Sequence, residues 1–421
     1  MGCEILTIGT ELTLGLVNDL NAPYISKALA NIGILCDRRS SVPDDIEIIS
    51  RAVKEAMSRS QITIITGGLG STHDDLTREG VAKALSRELV LQPMLAAMIE
   101  QRFKRLGNSV PEAALRQAYL PQGAEPIQAT QGTAPGFVIR EDGKAIFVLP
   151  GVPTEMRQML DSGVIQLLKE EFSENSVLRI RCIKTAGESE LVIEERIKDV
   201  IDKYENSSIS ILPYPGEVHI QIAAKGTSEE AEDIIETVES KIVEALGDLV
   251  FGFDGETLGG AVGTLLKKHK LRLAIIESCT GGALSDQVTS VSGSSEYFQG
   301  GVVSYSNELK RKLIGVSRED LLKYGAVSAP VALAMAEGGR HVMEVDIALS
   351  VTGIAGPKGG TEEKTVGLVF IGLAWSEGSY CERFQFSGER SEIKAKSSKA
   401  ALNMLRLFIM ETFEEIGGEV S

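Results

Sequence analysis

A chain of 421 residues exceeds what one ordinary hydrophobic core supports, so two or three domains are expected. Its 43% hydrophobic and 24% charged content is that of a globular protein and argues against disorder. A net charge of −16 at pH 7 argues against a chain whose main task is to neutralise a phosphate backbone, while leaving room for a local basic pocket.

The five cysteines, Cys3, Cys36, Cys182, Cys279 and Cys381, are odd in number, scattered and free of C-x-x-C spacing. Neither a disulfide framework nor a zinc cluster is expected, and the compartment reads as reducing. The opening MGCEILTIG patterns as a strand without a basic leader, no apolar run has the length to span a bilayer, and Leu6 stands where a myristoylation signal needs Ser or Thr. The expectation is a cytoplasmic protein with no membrane or nucleic-acid partner.

In chain order, residues 3 to 8 read as a strand, Thr10 to Gly15 as a loop, and Ala22, Ile25 and Leu29 as the apolar face of a helix. A strand around Ile34 to Val42, a helix through Met57, a strand over Gln61 to Thr66 and a helix through Leu85 repeat the β-α-β rhythm of a parallel sheet. Ligands of such sheets collect beyond the carboxyl ends of the strands, where Glu11, Asp44, Asp45 and the GGLGSTHDD loop converge. Gly67, Gly68 and Gly70 allow close backbone approach to a phosphate, and the helix start favours anions. Asp74 and Asp75 beside that cradle make sense if a divalent metal of the Mg²⁺ kind bridges them to the phosphate. Equally, the two aspartates complement the helix dipole and Thr72 caps the helix. Neither a P-loop nor a dinucleotide fingerprint is present in its usual form.

A helix from Pro93 to Leu106, the stretch QGTAPGFVI, a strand pair around Gly143 and the turn Leu149 to Pro153 follow, the last expected to line the same site. From about Ser176 to Phe253 the rhythm changes to a small α+β module with a hairpin turn at Tyr214-Pro215-Gly216 and acidic, solvated helices. It lacks the G-x-x-G loop of nucleic-acid clamps. From about Glu256, strands LRLAII, GGVVSY, DIALSVT, TVGLVFIGLAW and YCERFQFS alternate with helices, the last running from Glu389 to Phe413 with a core face at Ala401, Leu402, Leu405, Phe408 and Ile409.

The apolar run Leu271 to Ile276 delivers Ser278 to a strand end, where Cys279-Thr280-Gly281-Gly282 permits a sharp turn and a helix opening at Ala283 would aim unpaired N–H groups back at the serine. A nucleophile beside oxyanion donors is what acyl transfer requires. His269 and His341 lie in solvated or helical settings, whereas Lys310 lies just past a second strand-to-helix junction beside Tyr305. The dyad is therefore Ser278 with Lys310, which needs a desolvated lysine, with Tyr305 donating to the leaving group. Spacing alone favours Ser278 as a helix cap and Lys310 as a surface lysine. The loop Gly353 to Thr361, with Gly359 and Gly360, and Arg390 at a helix start suit a substrate phosphate, as does Lys358; ordinary turn glycines are the plain alternative.

With these stretches laid out, the whole chain resembles the CinA family through IGTELTLG, GGLGSTHDDLT, GTAPGF, LPGVPTEM, ESCTGG, YSNELK, GIAGPKGG and TVGLVF. The resemblance implies three parts: a three-layer α/β domain of the MoaB/MogA molybdopterin-binding type over 1–172, a KH-type α+β connector over 175–253, and an α/β amidohydrolase domain over 256–421. For the first it implies a metal-dependent ADP-ribose pyrophosphatase, which the acids Asp44, Asp74 and Asp75 suit as metal ligands, and for the last a nicotinamide mononucleotide (NMN) deamidase that needs no cofactor. Carried-over roles are Ser278 as nucleophile, Lys310 as base and Tyr305 as helper; a homodimer is implied as well. Ser71, Thr13, Ile276 and Thr365 depart from the family's usual residues without removing a chemical group, and the first two flank the proposed metal site.

Overall fold

The computed structural model describes residues 2–105, 107, 109–127, 134–172, 177–204 and 207–414. The chain divides into two compact units, Met1–Arg179 with Ala224–Asp233 and Ile180–Ala223 with Ile234–Ser421. Residue 106 at the end of one expected helix, residues 132–133 of the GTAPGF phrase and residues 175–176 at the start of the expected connector lie outside the described residues.

The first unit is built on a six-stranded sheet in the order Arg38–Val42, Cys3–Ile8, Ile62–Thr66, Lys144–Leu149, Gly136–Glu141, Glu125–Ile127. The first four strands are parallel, as the β-α-β rhythm predicts, but the hairpin around Gly143 makes the remaining pairings antiparallel, so the sheet is mixed. Cys3–Ile8 and Ile62–Thr66 are buried along their whole length, as inner strands of a parallel sheet covered on both faces are. Helix Ile46–Arg59 covers one face with Ile49, Val53 and Ala56, and its start is fixed by the Asp45 carboxylate, which accepts from the Glu47 and Ile48 N–H groups at 2.9 Å each. The strand expected over Ile34 to Val42 begins only at Arg38, because Gly33 turns the chain at φ 79° and Asp37 N–H then pairs with Cys3 O. Thr10–Thr13 forms a single helical turn within the expected loop.

A four-stranded sheet follows, ordered Ser207–Tyr214, Glu217–Gly226, Val177–Thr185, Val250–Phe253. The second unit's main sheet runs Phe298–Val303, Leu273–Glu277, Ile347–Gly353, Leu368–Trp375, Gly378–Gln385, the first three parallel and the rest antiparallel. Helix Arg390–Ile409 buries Ala401, Leu402, Leu405, Phe408 and Ile409 as the periodicity predicts, and it passes into a π-helical turn over Met410–Glu414 instead of staying α-helical to Phe413. No helix among the described residues is long and apolar enough to cross a membrane.

Candidate active site

Two neighbouring strand ends build the site of the second unit. Leu273–Glu277 is wholly buried and pairs in parallel with Ile347–Gly353, a register that continues one step through Ser278 N–H to Val351 O at 2.9 Å. On its other side Ser304 N–H donates to Glu277 O at 2.8 Å, so the chain leaving Phe298–Val303 stays beside the serine. Ser306 then caps helix Asn307–Ile314 by accepting from Leu309 N–H at 3.2 Å, and the first turn carries Lys310 back under the strand ends.

Lys310 is 1% exposed. Its Nζ donates to Ser278 Oγ at 2.9 Å and to the Ser304 carbonyl at 2.6 Å, with the Tyr305 carbonyl at 3.5 Å. No carboxylate lies within ion-pair distance of it among the described residues. Burial therefore pulls its pKa from 10.5 to about 8, opposed only weakly by Cys279, whose own thiol burial pushes up to about 12. The fall raises the neutral, proton-accepting fraction at pH 7 by ~300-fold. Neither plain alternative describes these residues: Ser278 caps no helix, and Lys310 is not at the surface.

The oxyanion expectation needs correction. The first N–H groups of helix Ala283–Thr289 do not face Ser278, because the wholly buried Glu277 carboxylate occupies them. Oε2 accepts from Gly282 N–H at 2.8 Å and Leu284 N–H at 3.2 Å, and Oε1 from Ser285 N–H at 2.9 Å and Ser285 Oγ at 2.6 Å. What remains beside the serine is the turn itself: the N–H groups of Cys279, Thr280 and Gly281 donate to no carbonyl or carboxylate among the described residues. The Thr280 hydroxyl is buried without a partner.

Tyr305 is 60% exposed. Its phenol accepts from Arg390 at 3.3 Å, and the same guanidinium donates to Gly356 O at 2.6 Å, so Arg390 ties Tyr305 to the Gly353–Thr361 loop. The loop's own residues are less available than expected. A Cβ on Gly353 would stand 2.8 Å from Leu368 O, so that glycine serves strand packing. Thr361 closes a turn with Lys364, N–H to O at 2.8 Å and Oγ1 from N–H at 3.0 Å. Gly359, at φ 96°, and Gly360 shape the same turn and touch neither Ser278 nor Lys310 through a hydrogen bond.

In the first unit the strand-end loops enclose a cleft of about 280 Å³ lined by Glu11, Asp44, Gly67, Gly68, Asp74, Asp75, Gly151 and Pro153 among others. Gly67, at φ 110°, is obligatory, since a Cβ there would stand 2.1 Å from Ile8 O. The Gly67–Asp75 loop is held by groups the sequence did not single out. Arg78, 1% exposed, donates to Leu69 O at 2.7 Å and Gly70 O at 2.9 Å, and Thr77 Oγ1 donates to Gly67 O at 2.7 Å. Thr72 does not cap the following helix; its N–H and hydroxyl go to Asp75, at 2.8 and 2.5 Å, while Gly70 N–H donates to the same carboxylate at 2.7 Å. Asp75 thus closes the loop.

Asp44 is partly committed in the same way, its Oδ2 accepting from Thr10 N–H at 2.7 Å and Thr10 Oγ1 at 3.0 Å. Asp74 is exposed, and the Thr72 hydroxyl beside it holds its carboxyl below the ordinary value. The three aspartates share a cleft, but no group of three or more Asp, Glu, His or Cys is arranged to hold a metal among the described residues. The expected three-aspartate metal set is corrected accordingly. The uncommitted donors, Asp44 Oδ1 and the Asp74 carboxylate, fit a cation that takes most of its ligands from substrate and water.

Three family models match the chain in series: the probable molybdopterin binding domain over residues 4–170, the damage-inducible protein CinA KH domain over 180–252 and the CinA C-terminal domain over 255–409. A putative competence-damage inducible protein of Caldicellulosiruptor saccharolyticus is 42% identical over 411 residues, 97% of this chain and 100% of its own. The chain belongs to the CinA family. A CinA-like protein of Kosmotoga olearia is 40% identical over 96% of this chain and 98% of its own. Among solved structures, the CinA protein of Thermoplasma acidophilum, of unknown function, aligns with 39% of this CinA-family chain and 97% of its own at 33% identity and a TM-score of 0.38. A MoaB-like domain, a KH-type connector and a CinA C-terminal domain thus follow one another in an α/β chain.

Proposed function

We propose that the C-terminal site hydrolyses the carboxamide of NMN to nicotinate mononucleotide and ammonia. The observation that carries this reading is the buried Lys310 ammonium 2.9 Å from Ser278 Oγ, a nucleophile and base held together with no acid to keep the lysine charged. Neutral Lys310 takes the Ser278 proton as Oγ bonds to the carboxamide carbon. The N–H groups of Cys279, Thr280 and Gly281 hold the negative oxygen. Lys310 returns the proton to the amide nitrogen, the C–N bond breaks and ammonia leaves. Water then attacks the ester, giving the carboxylate and free Ser278. Arg390 keeps Tyr305 over the site and the Gly353–Thr361 loop in place for the ribose phosphate. Because the neutral form of Lys310 is the working one, kcat/KM for NMN rises with pH and levels off above about 8. A flat profile between pH 6 and 9 would contradict the assignment of Lys310 as base.

The N-terminal cleft, in the same proposal, splits the pyrophosphate of ADP-ribose with a divalent cation. Gly67 and Gly68 line the cleft beside these acids, and Asp44 and Asp74 are the residues that would hold the cation, which supplies Lewis-acid activation. AMP released from ADP-ribose with Mg²⁺ and lost on Asp44→Asn supports this activity; release unaffected by that change would count against it. The protein acts as a homodimer in this account, a point decided by light scattering.

A further inference from the structure

Resting on the deamidase reading, the geometry points to Lys394 as the residue that binds the anionic end of the substrate beside the Ser278 turn. Lys394 lies in helix Arg390–Ile409, one turn beyond Arg390 and therefore on the same face. Its Nζ stands 3.7 Å from the position a Cβ would take on Gly281, the third residue after the nucleophile. Gly281 and Gly282, with φ of +61° and +98°, are the two positions of the turn that carry no side chain. Within 4 Å of the Cβ position on Gly281 only Lys394 is met, and around that on Gly282 there is open space. The glycines thus leave a free volume against the serine's turn with an amine at its edge.

That amine has no partner. Lys394 is half-buried and makes neither an ion pair nor a side-chain hydrogen bond among the described residues. Its helical neighbours at three and four positions are Arg390, Ser391, Ser397 and Ser398, with no acid among them. The nearby acids are committed elsewhere. Glu389 and Glu392 form the reciprocal capping box of the same helix, and Glu277 is filled by the four donors of the next helix. Two other cations of the site are occupied, Lys310 by Ser278 and Ser304, and Arg390 by Gly356 and Tyr305, while Lys358 is exposed on the Gly353–Thr361 loop. Among the described residues that border the Ser278 turn, Lys394 is the cation left for a ligand, and the class of ligand that meets it while presenting an amide to Ser278 is a phosphorylated one.

The test compares the full chain with Lys394→Ala and Lys394→Arg on NMN and on nicotinamide riboside, which lacks the phosphate. Loss of one charge-assisted contact predicts a KM for NMN raised ~10- to 100-fold in Lys394→Ala with a much smaller change in kcat, and largely restored by Lys394→Arg. The riboside should show little difference between parent and Lys394→Ala. Equal losses on both substrates, or an unchanged KM for NMN, overturn the inference. Calorimetric titration with inorganic phosphate separates its failure from that of the deamidase reading. In a chain that turns over neither compound, weaker phosphate binding by Lys394→Ala still supports the anion site, and unchanged binding rejects it.

Discussion

Replacing Lys310 by Met should make the protein more stable at neutral pH while removing the base. The folded chain titrates Lys310 near 8 and the unfolded chain near 10.5, so between those values the unfolded state binds more protons and stability rises with pH. Below pH 8 the folded state carries the full cost of a buried ammonium, roughly 3 kcal/mol at about 1.4 kcal/mol per pH unit. Methionine fills a similar volume without charge, but it forfeits the hydrogen bonds to Ser278 and Ser304, roughly 1 kcal/mol each. The net gain at pH 7 is then about 1–2 kcal/mol. The lost bonds weigh nearly equally at all pH, whereas the charge cost does not, so the variant's advantage shrinks by ~2 kcal/mol between pH 7 and 9.5. Urea unfolding of both proteins at the two pH values reads this directly, since other alkaline titrations are common to both and cancel. A gap that does not change with pH would refute the claim that Lys310 is desolvated.

Glu277→Gln replaces an acceptor of four hydrogen bonds by a group with one oxygen and an NH₂ that faces donors, and should cost roughly 2–4 kcal/mol in denaturant unfolding with a fall in kcat as the turn loosens. Unchanged stability would show that the helix start is satisfied otherwise. Gly67→Ala, with a methyl 2.1 Å from Ile8 O in a left-handed conformation, should destabilise the first unit by more than ~2 kcal/mol and abolish any nucleotide binding in its cleft; tolerance of alanine would contradict the tight loop described here.

The dyad was legible because two strand-to-helix junctions place Ser278 and Lys310 at neighbouring strand ends, and parallel strands gather their carboxyl ends on one side of the sheet. The parallel core of the first unit was legible for the same reason of rhythm. What escaped was the commitment of side chains within loops. Glu277 follows the apolar run and precedes Ser278 with nothing in the sequence to mark it, yet its carboxylate consumes the helix donors that seemed free for the oxyanion. Asp75 reads as a metal ligand beside a glycine loop, but a short Gly-rich loop leaves N–H groups unpaired, and the nearest acceptor in the chain takes them. Arg78 stands in a helix start of polar sequence that gives no sign of its burial; only the fold shows that the Leu69 and Gly70 carbonyls lie within reach. Lys394, in the run KAKSSK, carried no signal, because its meaning depends on a glycine more than a hundred residues earlier in the chain.

The central claim, a metal-independent Ser–Lys amidase, is tested most directly by incubating the purified chain with NMN in EDTA and measuring ammonia and nicotinate mononucleotide for the parent, Ser278→Ala and Lys310→Ala. Equimolar products from the parent and background levels from both variants are the predicted result. Products undiminished in Ser278→Ala, or no product from a parent that binds NMN, would contradict it, the latter leaving a nucleotide-binding protein in its place.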